Sequence, residues 1–181
     1  VLKSNITDVN KLFQYIAYLL YDELDTKAPK VKYGAGCSVF AVPESESIDF
    51  LMGRNYDFRH FTEDKKSYLP TSAILVHTAP PGGKKSISMV DGLNLGYGQG
   101  FLNDTDKDLS LLMGLPYAAL DGINEDGFAI GVLALTEAQT CQNNNLPRIN
   151  TTVAIRMLLD KASTVKEAVE MLRHYDMDMQ G

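Results

Sequence analysis

Apolar residues recur at helical spacing near both ends of the chain. Positions three and four apart between residues 8 and 24 predict an amphipathic helix. The same period over residues 152–161 predicts a second helix. Thr164-Val165-Lys166-Glu167 has the form of a capping box and predicts a third helix, which would run to about residue 174.

Between these helices the apolar residues form short runs, which is typical of strands. The predicted strands are 37–42, 48–53, 73–77, 86–90 and 128–135. The polar segment 43–47 predicts a hairpin between the first two, and Pro80-Pro81-Gly82-Gly83 predicts another turn. Because residues 128–135 are apolar throughout, we expect that strand to be buried on both faces. The order helix, strands, two helices predicts an α+β fold, with helices layered on a mostly antiparallel sheet.

Composition limits the class of protein. With 181 residues, the chain can form one domain with a real core. No apolar run approaches the length of a membrane span, and the net charge of −6 argues against a nucleic-acid partner. The two cysteines, Cys37 and Cys141, are too few for a disulfide scaffold, and the three histidines lack the spacing of metal ligands. No metal and no cofactor are therefore expected.

Cys37 is the strongest candidate for chemistry. It follows Gly34-Ala35-Gly36 directly and opens a predicted strand. Glycine allows another group to approach the backbone closely. A hairpin would bring Arg54 and Asp57 beside Cys37. A thiolate is the reactive form of cysteine and is stabilised by an adjacent cation, and Arg54 is a permanent cation.

A nucleophilic thiol also needs a base. If the chain is cut between Gly36 and Cys37, the new α-amino group, with an ordinary pKa of about 7.7–8.0, can take the proton. Asp57 would orient that amine. The residues alone leave a simpler alternative open. A lone cysteine is more often a small core residue than a nucleophile, and Arg54 with Asp57 would then be a surface ion pair.

Four segments together resemble a known family. They are Gly36-Cys37-Ser38-Val39-Phe40, Gly53-Arg54-Asn55-Tyr56-Asp57-Phe58, Pro116 to Ile130, and Ile149 to Leu172. In this order they are similar to the choloylglycine hydrolase group of N-terminal nucleophile hydrolases. That group includes bile salt hydrolases, penicillin V acylases, and related acyltransferase and acid ceramidase branches. Each motif alone is weak, and the set is fairly specific.

The resemblance implies an αββα sandwich and hydrolysis of a linear carbon–nitrogen amide bond. Autoproteolysis at Gly36–Cys37 would free the α-amino group of Cys37. The Cys37 thiol would then form a thioester acyl-enzyme, and water would release the acyl group. Arg54 and Asp57 match the family's catalytic arginine and aspartate. The positions that the resemblance assigns to the substrate pocket are Tyr56, Phe58, Phe61, Ala134 and Leu135.

Three departures from the family pattern shape the domain prediction. Ala134 stands where bile salt hydrolases carry an oxyanion-hole asparagine, so a backbone N–H would have to contribute instead. Residues 1–36 precede Cys37 and are expected to form a propeptide-like helical lead segment and linker. Residues 37–181 then correspond to the N-terminal part of the amidase domain. The family domain continues further, so the rest is expected to be missing here or supplied by another chain.

Three functions remain open at this point. The first is a thiol amidohydrolase acting on a small N-acyl amide with an apolar acyl group. The second is an acyltransferase that uses the same acyl-enzyme, and the third is an inactive relative that serves as a binding or structural domain. Bile acid conjugates, penicillins, acyl-homoserine lactones and fatty acyl amides are all candidate substrates. The resemblance allows a homo-oligomer. The long lead segment favours a bacterial extracellular or cell-envelope location, with cytoplasm as the alternative.

Overall fold

A computed structural model of the chain describes residues 36–42, 50–64, 66–103, 109–133 and 142–178. These residues all belong to one compact unit, Ala35–Gly181. The predicted helix over 8–24, the linker before Gly36, Ala134, Leu135 and Cys141 lie outside the described residues. Within the described ranges, no helix combines the length and the apolar character needed to cross a membrane.

The predicted hairpin is confirmed. Strand β1 (Gly36–Val42) pairs antiparallel with β2 (Leu51–Asp57), in a register that sets Gly36 opposite Asp57. The second strand ends later than predicted, at Asp57 and not at Gly53, so Arg54 and Asp57 lie within it. The ring of Phe40 lies over Gly53, so a side chain at that position would require this exposed ring to move. The predicted turn, 43–47, lies outside the described residues.

A four-stranded antiparallel sheet forms the centre of the unit. Its strands, in spatial order, are β5 (Ala73–Thr78), β6 (Ser86–Asp91), β7 (Asp121–Asn124) and β8 (Ala129–Gly131). A small antiparallel pair, β3 (His60–Phe61) and β4 (Tyr68–Leu69), lies before it in the chain. Between β6 and β7, the described residues form three 3-10 segments, which the sequence patterns did not predict. They are Gly92–Leu95, Phe101–Asn103 and Ser110–Tyr117.

Strand β8 differs from the prediction for residues 128–135. Its three residues are half-buried, and it borders only β7 among the described strands. Helices cover one face, where Ile130 packs against the core. The other face carries Gly131, against which the Arg54 side chain lies. The expectation of a strand buried on both faces is wrong for these three residues, because each of them is only half-buried.

The two predicted C-terminal helices are confirmed as α1 (Thr151–Lys161) and α2 (Val165–Leu172). The Asn150 side chain caps α1 by accepting a hydrogen bond from a backbone N–H in its first turn. Thr164 caps α2 by accepting from Glu167 N at 3.2 Å, as the capping-box pattern predicts. The Glu167 carboxylate accepts from Ser163 N at 2.8 Å, so the return bond reaches one residue further back than in the standard motif.

The hydrophobic core lies between these helices and the inner face of the sheet. Its buried members are Ala119, Phe128, Ile155, Leu158, Leu159, Ala162 and Ala168. Buried Asn124 donates hydrogen bonds to the carbonyls of Leu159 and Ala162, and so ties the β7–β8 turn to the end of α1. A short parallel pair, β9 (Arg148–Asn150) and β10 (Asp176–Asp178), flanks the helices.

The hairpin contacts the opposite, outer face of the sheet. Side chains alternate along a strand, so Asp91 and Asp121 point away from the helices. Arg54 pairs with Asp121, and Tyr56 bonds to Asp91. The layers therefore run helices, four-stranded sheet, hairpin, which agrees with the predicted α+β class. The described residues leave part of the outer face uncovered, and Leu75 is 68% exposed there, Ile87 42% and Ile123 43%.

Candidate active site

Cys37 lies on the side of the hairpin that faces the sheet. It is half-buried, it is a free thiol, and its cross-strand partner is Tyr56. Arg54, two positions along β2, projects from the same face because side chains alternate. Its Nη2 lies 3.8 Å from Cys37 Sγ, within hydrogen-bond reach of sulfur. The structure thus brings the predicted cation to the predicted nucleophile.

The Arg54 guanidinium is held in place by three further contacts. Nη1 forms an ion pair with Asp121 Oδ2 at 2.7 Å, and Nη2 donates to the Val132 carbonyl at 2.8 Å. The guanidinium carbon also lies 5.0 Å from the centroid of the Tyr56 ring, in cation–π geometry. Because this cation is almost fully buried and fixed, it can stabilise negative charge on the adjacent sulfur.

Asp57 occupies a different part of the site. It stands opposite Gly36 in the hairpin, on the face that points away from Cys37 Sγ. A side chain added at Gly36 would come within 3.7 Å of Asp57 Oδ2, so this carboxylate lies beside the Gly36–Cys37 backbone. It accepts a hydrogen bond from Asn55 Nδ2 at 2.8 Å. Arg54 therefore lies beside the thiol, and Asp57 lies beside Gly36.

The aromatic residues of the predicted pocket divide into two groups. Tyr56, Phe58 and His60 form one row, with ring centroids 6.0 Å and 5.0 Å apart. Phe61 instead contacts Tyr68 at 4.9 Å on the small β3–β4 pair. Phe58 is exposed, so the first row offers an accessible apolar surface that begins opposite Cys37. The other two predicted pocket positions, Ala134 and Leu135, lie outside the described residues.

Two carboxylates of this site were missed by the sequence reasoning. Asp121 at the start of β7 pairs with Arg54. Asp91 at the end of β6 is 1% exposed and accepts hydrogen bonds from Tyr56 Oη at 3.1 Å and from His60 Nε2 at 2.7 Å. Asp121 did fall within one of the family-like segments. The only signal for Asp91 was an acidic residue at the end of an apolar strand.

Hydrogen bonding overcomes the burial of Asp91. Burial alone raises a carboxyl pKa. Donors at Thr71, His60 and the backbone N–H of Leu93 outweigh that effect and hold the pKa of Asp91 below its ordinary value. The group is therefore an anion in the folded protein at neutral pH.

Burial and the contact between Asp91 and Tyr56 both raise the pKa of the Tyr56 phenol. Burial, and then the charge and hydrogen bond of Asp91, raise the pKa of Tyr56 far above its ordinary value. Tyr56 thus remains a protonated donor to Asp91, and its hydroxyl cannot act as a general base near neutral pH.

The site offers a nucleophile, a fixed cation and an apolar surface. No group of three or more His, Cys, Asp or Glu side chains that could hold a metal ion occurs within the described ranges. The arrangement suits nucleophilic attack by a thiolate on an acyl carbon next to apolar side chains.

Comparison with known proteins gives information on a different part of the chain. No curated protein and no solved structure matches the chain. Residues 112–179 match the family model of acyl-coenzyme A:6-aminopenicillanic acid acyl-transferase. The matched stretch contains Asp121 and Val132, the two anchors of Arg54, whereas the hairpin with Cys37 lies outside it. This family implies acyl-transferase or amidase-type enzyme activity.

The match also bears on the resemblance predicted from the motifs. That prediction named the amide hydrolases and acyltransferases related to choloylglycine hydrolase. It is confirmed, because the chain matches, over residues 112–179, an acyltransferase family of the N-terminal nucleophile hydrolase type.

Proposed function

We propose that the protein is a thiol amidohydrolase that cleaves a linear carbon–nitrogen amide bond through an acyl-enzyme on Cys37. The observation that carries this proposal is the 3.8 Å approach of Arg54 Nη2 to Cys37 Sγ. An arginine that pairs with Asp121 and donates to the Val132 carbonyl is a permanent charge with a defined position beside the thiol. A buried structural cysteine does not require such a partner.

The reaction proceeds in two steps. The Cys37 thiolate attacks the amide carbonyl carbon, and an S–C bond forms as the carbonyl electrons move to oxygen. Collapse of this intermediate breaks the C–N bond, and the amine leaves with the proton first taken from the thiol. Water then attacks the thioester, its proton returns to sulfur, and the carboxylic acid departs.

The general base is the α-amino group of Cys37 after cleavage of the Gly36–Cys37 bond. The location of Asp57 supports this assignment, because its carboxylate lies beside the Gly36–Cys37 backbone and not beside the sulfur. A carboxylate at that position can accept a hydrogen bond from the new amine and orient it toward the thiol. Residues 1–36 then act as a propeptide, and the amidase domain starts at Cys37.

The substrate class is an N-acyl compound with an apolar acyl group. The row formed by Tyr56 and Phe58 supports this, since it starts at the strand position opposite Cys37 and its outer ring is exposed. We assign the acyl contacts first to these two residues. Phe61, Ala134 and Leu135 complete the proposed pocket as a second set. Phe61 packs with Tyr68 and would contact only a longer acyl group.

We further propose that the domain is an αββα sandwich. The layer order of helices, sheet and hairpin supports three of its four layers. The exposed apolar side chains of Leu75, Ile87 and Ile123 support a larger second sheet, because the facing surfaces of packed sheets are apolar.

An acyltransferase is the second candidate function, and the description of the matched family favours it. Both reactions pass through the same thioester, and they differ only in whether water or an amine attacks it. A substrate assay with and without an added amine acceptor separates them. Free acid alone indicates hydrolysis, and an acylated amine that forms faster than the acid indicates transfer.

The test of processing is the intact mass of the full-length chain beside two variants. Loss of residues 1–36 is expected in the parent and in Cys141→Ala, which removes the other cysteine of the chain. Cys37→Ala should keep its full mass. If all three proteins keep the same N-terminus, the amine cannot be the base and the proposed processing is wrong.

The test of catalysis is trapping of the acyl-enzyme. Incubation with an activated ester of a medium-chain fatty acid should add one acyl mass to Cys37, which peptide mapping locates. Arg54→Met should acylate more slowly, because the thiolate loses its cation. Equal acylation of Cys37 and Cys141 in the parent would indicate an inactive relative.

A further inference from the structure

Asp91 connects four separate segments at one buried point. Its Oδ2 accepts from Tyr56 on β2 and from His60 on β3. Its Oδ1 accepts from Thr71, before β5, and from Leu93 N at 3.0 Å in the following 3-10 segment. A carboxylate offers about four acceptor sites, so all of them are used.

Of these donors, Tyr56 is the one that lies next to the nucleophile. It is the cross-strand partner of Cys37, and the Arg54 guanidinium lies over its ring. Its hydroxyl donates a hydrogen bond to Asp91 at 3.1 Å, which fixes the far end of the ring. Among the described residues, Arg54 and Tyr56 provide the side-chain hydrogen bonds that join the hairpin to the four-stranded sheet.

We propose that Asp91 is a positioning residue for Cys37, because it holds the Tyr56 ring against the Arg54 guanidinium at the strand position opposite the thiol. The inference rests on the proposed function. Asp91 itself contacts neither sulfur nor substrate. It acts through Tyr56, and it keeps the cation within 3.8 Å of the sulfur.

The charged and titratable groups around Cys37 determine whether a change at Asp91 makes the thiolate easier or harder to form. Among the described residues they are Arg54 and Tyr56 on β2, Asp57 beside Gly36, His60 on β3, Asp91 on β6 and Asp121 on β7, and the proposed cleavage adds the α-amino group of Cys37 itself. If Asp91 acts only as a nearby anion, its removal makes a thiolate easier to form. If it positions Arg54, its removal makes a thiolate harder to form, because the cation moves away from the sulfur.

The experiment measures the rate of Cys37 alkylation by iodoacetamide against pH, in the full chain with Cys141→Ala as background. We expect Asp91→Asn and Tyr56→Phe to move the midpoint of the profile upward by roughly one pH unit, the size of a lost close charge interaction. Thr71→Val is the matched control. It removes a donor to the other Asp91 oxygen and leaves the hairpin contact intact, so its midpoint should equal that of the parent.

A midpoint that stays in place or falls in folded Asp91→Asn overturns the proposal, since the residue would then be structural or a simple charge. If Asp91→Asn does not fold, Tyr56→Phe decides by the same criterion. Failure of the proposed function has a separate signature. With the cysteines of the unsubstituted chain intact, Cys37 would alkylate no faster than Cys141.

Discussion

On the outer face of the four-stranded sheet, burial is the reverse of what is usual in proteins: charged side chains are covered at one end, and apolar side chains are exposed at the other. At the end near Asp91 and Asp121, charged groups are covered by the hairpin and paired with Tyr56 and Arg54. At the other end, Ile87 and Ile123 are apolar and about two-fifths exposed. Polar groups are covered, and apolar groups are not.

The two ends of the outer face meet different physical requirements. Burying a charge costs free energy unless it is paired and hydrogen-bonded, and both carboxylates meet that condition. Their arrangement therefore serves the position of Arg54 and Tyr56 beside Cys37 and adds little net stability by itself. The exposed apolar end has the character of a surface that another layer covers.

The largest expected effect comes from breaking the ion pair at the covered end. Arg54→Met leaves Asp121 without its partner at a site of low exposure. We expect the free energy of unfolding, measured with urea, to fall by about 3 kcal/mol, as for other broken buried pairs. The double variant with Asp121→Asn should recover part of this loss, because no uncompensated charge remains. Equal losses in both proteins would contradict the role of the charge.

Acid should weaken the covered end through Asp91. Its folded pKa lies below the ordinary 3.8, so its stabilisation is complete above that value and is lost as pH falls through it toward the lower folded pKa. The stability difference between the parent and Asp91→Asn should therefore be largest above about pH 4. It should shrink in urea unfolding curves recorded at successively lower pH. A difference that is constant between neutral and acid pH would assign the effect to packing.

A smaller effect is expected at the uncovered end. Ile87→Thr replaces an exposed apolar side chain by a β-branched polar one that still suits a strand. The free energy of unfolding should change by less than about 0.5 kcal/mol, while binding of the dye ANS should decrease. Val90→Thr, at a fully buried position of the same strand, is the control and should destabilise clearly. A large loss in Ile87→Thr would mean that this face is covered in solution.

The smallest effect is expected in an alkaline titration. Because the pKa of Tyr56 is strongly raised, its phenol should not ionise in the folded protein below about pH 11. Phenolate absorbance of Tyr56→Phe should therefore overlay that of the parent in this range. In urea the variant should show one titrating tyrosine fewer than the parent, because Tyr56 is the tyrosine replaced. A lower amplitude in the folded variant would mean that Tyr56 is not bonded to Asp91.

Much of the local structure could be predicted from the sequence. The hairpin, the strand pair around residues 80–83 and the helices α1 and α2 follow from short-range periodicity and turn residues. The Thr164 cap was predicted from four residues, because the bond from Glu167 N spans only one turn. The end of β2 was predicted too early, because a glycine such as Gly53 often marks a strand end. In the structure Gly53 lies inside β2, opposite the ring of Phe40.

The candidate site was only partly predictable. Cys37 and Arg54 are 17 positions apart and meet within one hairpin, so their proximity follows from local pairing. Asp121 is 67 positions from Arg54, and Asp91 is 35 positions from Tyr56. No periodicity connects such pairs. Asp57 was expected beside Cys37, and the alternation of side chains places it on the face away from the thiol, beside Gly36.

The sequence by itself determined which residues share a face of the hairpin strands and where α1 and α2 begin, because steric limits and hydrogen bonds act over a few residues. It also carried the family resemblance. Only the tertiary structure decided which surfaces face each other. Packing of the hairpin onto the sheet is a contact between distant segments, and its geometry selects Asp121 and Asp91 as the partners of Arg54 and Tyr56.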